Sequence, residues 1–293
     1  MKTIDTLVED IYSVIDSNDF QVTEEEVKEF GDKLARHLAY RINEERGKSE
    51  LRMSNLGKPC ERQLWYDINA HELGEKISPA TQIKFLFGDI LEELMLFLAK
   101  KAGHRVEGEQ ERLEVNGVVG HRDAIIDGVQ VDCKSASSFA FKKFKNHEVE
   151  KDDPFGYLDQ QNLYLHASQD DPRVTEKDKF SFLVIDKAQG HICLDTYPKT
   201  EADVEAKVEA KKQVINAAQP PARGFEDVPD GKSGNKKLGI NCSYCAYKFE
   251  CWDKLKVYNY STGPRFLTVV HKEPKVDREK RGRIKTAEGV KDF

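Results

Sequence analysis

Gly120-His-Arg-Asp-Ala-Ile-Ile-Asp-Gly-Val-Gln-Val-Asp-Cys-Lys134 is the stretch from which the fold of this chain can be read. Asp127-Gly128 separates two β-rich runs, 118–126 and 129–135, and is a strong signal for a two-residue hairpin turn. Alternate side chains of a strand share a face. Asp132 and Lys134 therefore point the same way and Cys133 points opposite, toward a core. Asp123 lies on the partner strand, where the twist of the hairpin brings it near Asp132. Two carboxylates with a lysine beside them make a hard-oxygen site for Mg²⁺ or Mn²⁺ that carries its own cation. Such a site suits phosphodiester hydrolysis: the metal polarises a phosphate oxygen and acidifies bound water, and the lysine holds that water and offsets developing charge. Alone, Asp-x-Lys is a common pattern that more often describes a solvated strand. Its neighbours give it weight.

Upstream, 79–101 reads as a helix that buries Phe85, Leu86, Ile90, Leu91, Leu94 and Leu98 and stops at Gly103. It carries Glu92 four residues after Gly88. A strand over 109–115 leads into the hairpin. Downstream, a loop over 137–146 is rich in Lys and Phe. It can supply phosphate contacts and base stacking, or start an amphipathic helix that packs its three Phe inward. A helix over 157–167 places Gln160 and Tyr164 on one face. Two more strands, 180–186 and 191–197, flank Lys187 to Gly190, and a charged helix covers 200–217.

Toward the N-terminus, Leu7, Ile11, Val14 and Ile15, then Val27, Phe30, Leu34, Leu38 and Ile42, mark two helical segments over 3–46. Asn18 serves as a break, Thr23 and Glu26 as a capping box, and Gly47 as a stop. These make a helical arm over 1–55. The core spans 56–218, and a Pro/Gly/Asp/Lys-rich linker with a cysteine segment spans 219–270. The last residues, 271–293, read as a mobile charged tail. Gly231-Lys-Ser lacks the earlier glycine of a phosphate-binding loop, since Glu226 stands there, so an NTPase site is excluded.

With 33% charged and 39% hydrophobic residues the chain has the composition of a soluble globular protein. No apolar run nears the roughly 20 residues that span a bilayer, and residues 1–10 lack a signal-peptide layout. The expected location is the cytoplasm, or the host cytoplasm for a viral protein, with no membrane partner. The net charge of −6 leaves a DNA-binding role open, because an acidic centre and a local basic groove coexist readily.

In that compartment the six cysteines are thiols or metal ligands. Cys242-Ser-Tyr-Cys245 and Cys251 need a fourth ligand to close a site. Cys133 and Cys193 read as core, and Cys60 lies in a turn near the start of the 56–218 core. Four thiolates suit zinc as well as iron.

Taken in order, Gly88-x-x-x-Glu92, Gly120-x-x-Asp123, Asp132-x-Lys134 and Gln160-x-x-x-Tyr164 resemble the RecB-like branch of the PD-(D/E)xK nucleases. The C-terminal cysteines with Cys60-x-Arg-x-Leu-Trp-Tyr resemble its iron-staple members, including AddB nuclease domains and CRISPR-associated RecB-type exonucleases. The resemblance implies an α/β, restriction-endonuclease-like mixed sheet flanked by helices. It implies metal ligation by Asp123, Asp132 and the Cys133 carbonyl, with Lys134 catalytic and Gln160 and Tyr164 positioning DNA and the site. Glu92 stands where the family usually has His; as a hard ligand it is taken as the first metal ligand, with Glu93 as competitor. A 4Fe-4S cluster on Cys60, Cys242, Cys245 and Cys251 would tie the two ends of the domain together, with zinc as the alternative. The implied activity is a DNA exonuclease on single-stranded or frayed ends, in recombination, repair or DNA degradation. The alternative is a catalytically silent DNA-binding or assembly subunit that keeps the staple.

Overall fold

The structure is a computed structural model that describes residues 2–17, 20–43, 49–201, 203–279, 283–286 and 289–292. Along the chain come α1 (Leu7–Asp16), α2 (Glu24–Asn43), α3 (Met53–Leu56), α4 (Glu61–Asn69) and the long α5 (Pro79–Lys101). Strands β1 (Val106–Glu107), β2 (Arg112–Val115), β3 (Val118–His121), β4 (Ala124–Ile126) and β5 (Val129–Ala136) follow. Then come α6 (Ser138–Lys145), α7 (Tyr157–Ala167), β6 (Lys179–Asp186), β7 (Ile192–Pro198) and α8 (Val204–Asn216). The C-terminal part holds β8 (Val228–Pro229), β9 (Lys236–Lys237), α9 (Ile240–Ser243) and α10 (Lys248–Cys251). It ends with β10 (Lys256–Tyr260), β11 (Gly263–Val269), β12 (Arg283–Thr286) and β13 (Gly289–Asp292). Two compact units result, Met1–Gly57 with Ile77–Gln213, and Lys58–Lys76 with Val214–Phe293.

The first unit is built on a five-stranded sheet in the order β1-β4-β5-β6-β7. It is mixed: β5 and β6 run parallel and the other pairs antiparallel. Both connections the sequence marked as hairpins form. Asp127 and Gly128 take φ values of 50° and 84°, the left-handed pair that a primed turn requires. Alternation divides each strand between two cores. Val129, Val131 and Cys133 of β5 join Leu183 and Ile185 of β6, packing with Leu7 and Ile11 of α1 and Met95, Leu96 and Ala99 of α5. Phe180, Phe182 and Val184 pack on the other face with Phe141 and Phe144 of α6 and Leu165 of α7. This is the α/β class, a central mixed sheet flanked by helices.

Several expectations change. Residues 1–55 are no arm, because Leu7 and Ile11 are fully buried in the core. α2 does lie on the outside, with no buried residue, held to α5 by the Phe30–Phe97 ring contact and by ion pairs such as Lys101–Glu26. Its capping box forms as read, Thr23 and Glu26 bonding reciprocally. Asn18 and Gly47 lie outside the described residues. In α5, Phe85 is 40% exposed rather than buried, as are its neighbours Ile83 and Phe87 to a greater degree. The Lys/Phe-rich loop is helix α6: Phe141 and Phe144 turn inward while Phe139 stays out. The strand expected over 118–126 breaks at Arg122-Asp123, where the chain leaves the small β2-β3 sheet and enters the large one. Arg122 is the hinge pin, fully buried and ion-paired to Glu111 and Asp171.

In the second unit a four-stranded sheet has the order β10-β11-β9-β8. The linker read over 220–241 thus contributes β8 and β9, and Asp230 between them accepts from Arg265 of β11 at 2.9 Å. Residues 271–279 of the expected tail pack on this sheet: Asn235 Oδ1 accepts from His271 and Lys272 amides, and the Glu279 amide bonds to Val257. Beyond it, β12 and β13 pair as a hairpin.

Gly120 of β3 shows how closely these layers meet. A Cβ there would lie 2.6 Å from the Tyr164 ring and 2.7 Å from Met53 Cβ. Gly120→Ala is therefore expected to destabilise the protein by about 1–3 kcal/mol through overpacking, read as a lower urea midpoint.

Candidate active site

Asp132 sits in the middle of β5, beside Phe182 of the parallel neighbour. It is 2% exposed, so its charge must be compensated locally. Lys134, two residues on and on the same face, forms an ion pair with Asp132 Oδ2. Gln161 of α7 donates to Oδ1 at 2.9 Å. The Lys134 ammonium also lies 5.1 Å from the centre of the Tyr157 ring, a cation–π contact at the start of α7. Burial would favour its neutral form, but Asp132 and Asp123 outweigh that and hold Lys134 charged.

Asp123 follows the sheet switch at Arg122, and its Oδ2 accepts the Cys133 amide at 2.8 Å. Burial, then repulsion from Asp132, pushes its carboxyl up to about 7, with Lys134 and the Cys133 amide acting in the opposite sense. Glu92 of α5 belongs to the same cluster: burial and then Asp123 raise its carboxyl well above the ordinary value. Glu93 points elsewhere, paired with His37 at 2.9 Å and Lys33 at 3.5 Å. Of the two glutamates, Glu92 therefore faces the Asp123–Asp132 cluster and Glu93 faces α2. The helix supplies adjacent acids to opposite sides, one to α2 and one to the cluster.

Gln160 and Tyr164 do share a face of α7, and the Gln160 amide donates to the Tyr164 hydroxyl at 3.3 Å. Burial pushes the Tyr164 phenol up to about 12, and Asp132 and Asp123 add to the rise. Sequence reading missed three participants. Gln161 was passed over for its neighbour, although only its amide reaches Asp132. Tyr157 is the ring over Lys134. Gln110 takes φ 53°, a left-handed conformation uncommon outside Gly, Asn and Asp, and donates to Glu92. No pattern in the sequence marked Gln110, whose role depends on a turn before β2. Cys133 Sγ lies in the core as expected, and its main-chain carbonyl is the atom the resemblance nominates as ligand.

In the second unit Cys60, Cys242, Cys245 and Cys251 line one cavity with Arg62, Arg223, Gly224 and Trp252. Burial pushes the Cys242 thiol up to about 11 and the Cys245 thiol up to about 12. Burial also raises Cys251, while the Arg62 guanidinium beside it pulls the other way. Gly224 lies beside Cys60, where a Cβ would stand at ordinary contact distance, 3.4 Å, from Cys60 Sγ. The Trp252 indole N–H and the Arg62 guanidinium are hydrogen-bonded to the Cys242 and Cys251 thiols. Soft thiolate donors with N–H groups beside them are features a sulfur-ligated metal group would use. Among the described residues, however, no three His, Cys, Asp or Glu side chains are already drawn together as a metal-binding group, in either unit.

No family model matches this chain, and no curated protein matches it. Among solved structures, the crystal structure of SSO0001 is similar at 20% identity, covering 79% of this chain and 97% of that one with a TM-score of 0.43. The functional reading therefore rests on the residues of the site and the order of their motifs.

The raised Asp123 carboxyl has a consequence for stability. A carboxyl that binds its proton more tightly when folded favours the fold at low pH, and that contribution is lost as pH rises from 3.8 toward about 7. In metal-free buffer, Asp123→Asn is expected to give little gain at about pH 4 but to raise Tm by about 2–4 °C or more at about pH 8. Thermal melts of both proteins across that range check it.

Proposed function

We propose that this chain is a divalent-metal-dependent DNA nuclease, acting as an exonuclease on single-stranded or frayed DNA ends in recombination, repair or DNA degradation. The observation that carries the reading is the buried Asp132–Lys134 pair electrostatically joined to Asp123 and Glu92. Asp132 raises the proton affinity of Asp123, and both raise that of Glu92, so the cluster has a deficit of positive charge that one lysine does not make up. Hard oxygen donors in that state fit Mg²⁺ or Mn²⁺. Asp123, Asp132 and Glu92, with the Cys133 carbonyl, would hold the ion, which when bound supplies Lewis-acid polarisation of a phosphate oxygen and a more acidic water.

The chain's own residues do the positioning. Gln161 fixes the Asp132 carboxylate through Oδ1, leaving Oδ2 toward Lys134. Lys134 stays protonated, restrained between Asp132 and the Tyr157 ring, as a fixed positive charge to orient water and offset the charge that develops on phosphate. Gln110 orients Glu92, and the Gln160–Tyr164 pair borders the same carboxylates as a hydrogen-bonding wall for the DNA backbone.

The cysteine cavity is read as a 4Fe-4S site with zinc as the alternative; the N–H groups of Trp252 and Arg62 beside the Cys242 and Cys251 sulfurs are donors of the kind that tune such clusters. Ligands at Cys60 and beyond Cys242 close a long loop, so cluster binding would couple to folding. The proposed setting is the cytoplasm, or a host's; among the described residues no helix is long and apolar enough to cross a membrane.

Anaerobically prepared protein should degrade labelled single-stranded DNA with Mn²⁺ or Mg²⁺ and not with chelator. Lys134→Gln should slow the reaction by about 10²–10³-fold; it should also lower Tm, because Asp132 loses its buried partner, while circular dichroism shows the fold retained. Wild type that binds DNA but cleaves none, with binding indifferent to Asp132→Ala, would instead establish a silent DNA-binding or assembly subunit.

A second expected outcome concerns the staple. The purified protein should be brown and contain iron, and Cys60→Ser should lose both colour and several degrees of Tm. A colourless protein carrying stoichiometric zinc would replace iron by zinc at this site.

A further inference from the structure

Phe155 is 49% exposed, and unlike the other exposed rings of this chain it adjoins the ring that covers Lys134. It is not on a loose loop. Asp153 accepts the Gly156 amide at 2.9 Å and the Leu158 amide at 3.0 Å, bracketing the residue in a tight turn before α7. Gly156 takes φ 73°, and a Cβ on it would fall 1.8 Å from the Gly57 carbonyl oxygen, so backbone packed on backbone fixes the turn. The ring itself leans on Tyr157, with centroids 5.5 Å apart and planes at 35°. Tyr157 in turn covers the Lys134 ammonium. A continuous line thus runs from the cation of the acidic centre, across one ring, to a second ring open to solvent.

We infer that Phe155 is a stacking platform for an unpaired nucleobase adjoining the phosphate at the Lys134 centre. Every base has a π-face, so such a platform recognises single strands without reading sequence. A base within a duplex is already stacked on both sides and has no face to offer; the platform therefore selects strands that are single or frayed. The rigid turn matters because a preset ring loses little conformational freedom when it binds. The inference rests on the nuclease reading and adds to it the feature that recognises a single strand.

The experiment compares wild type, Phe155→Ala, Phe155→Leu and Phe155→Trp with Mn²⁺, on a short single-stranded oligonucleotide and on copies with one abasic nucleotide walked past the cut site. Phe155→Ala and Phe155→Leu should each lower kcat/KM about tenfold on the intact strand, mainly through KM, and Phe155→Trp should stay near wild type. At one abasic position wild type should fall to the level of Phe155→Ala, the two becoming equal. Cleavage by wild type with Phe155→Ala unimpaired, or a Phe155→Ala loss that persists at every abasic position, overturns the platform and leaves the nuclease intact. Binding without cleavage by wild type overturns the nuclease instead. The platform then stands or falls on whether wild type, and not Phe155→Ala, quenches a fluorescent adenine analogue in the bound strand.

Discussion

Asp132 and Lys134 put a full ion pair into the middle of a parallel strand pair, where every neighbour along β6 is apolar. Phe182 is opposite Asp132 and Val184 opposite Lys134. Removing a carboxylate and an ammonium from water costs several kcal/mol per ion even in relaxed proteins, and mutual attraction recovers that only with good geometry and further hydrogen bonds. Much of the surrounding architecture can be understood as supplying those partners. α7 brings Gln161 and Tyr157, β4 delivers Asp123 through the switch at Arg122, and α5 delivers Glu92. Two hydrophobic cores, one on each face of the sheet, hold these helices in place.

The cluster remains electrostatically unbalanced. Lys134 compensates one carboxylate, while burial and neighbouring acids raise the proton affinity of Asp123 and Glu92. A purely structural ion cluster would end with charges matched, as Arg122 and Arg173 do with Glu111 and Asp171 on the far side of the same corner, where Arg173 and then Arg122 drive the Asp171 carboxyl low. The contrast within one hairpin separates the two roles. Near Arg122 the chain buys rigidity at the point where it changes sheets; near Asp132 it keeps acids short of cations.

The strands, the primed turn and the bounds of α5 and α7 were legible because each is set by local signals: period-two alternation, Asp127-Gly128, and Pro79 with Gly103. Asp132, Lys134 and the opposite placement of Cys133 followed from the pleat alone. What escaped depends on contacts distant in sequence. Leu7 and Ile11 have the same spacing whether their helix caps a core or completes it, and only the packing on α5 decides. Gln161 and Gln160 are adjacent amides, and the helix phase that turns one to Asp132 and the other to Tyr164 was set by packing. The 220–241 stretch reads as linker since β8 and β9 are two residues each, too short for alternation to register.

Some of the chain's left-handed residues lie at this corner, while Asn116 and His147 lie elsewhere. Gln110, Asp127 and Gly156 all have positive φ, and each lies at a turn that delivers a side chain to the sheet's functional corner or holds its frame. Such conformations cost about 1–3 kcal/mol for a residue other than glycine and persist where surrounding structure over-determines them. At Asp127 the compensation is visible: its carboxylate accepts the Arg105 amide at 3.0 Å and meets the buried His104 ring at 2.6 Å. At Gln110 the amide bonds to the Asp123 carbonyl while the side chain reaches Glu92, so one turn touches both acids that lie outside β5. An unusual dihedral that connects two members of an acidic cluster is more economical as a spacing device than as an accident of loop closure. It ties Asp123 and Glu92 together through one backbone and one side-chain hydrogen bond of the same residue.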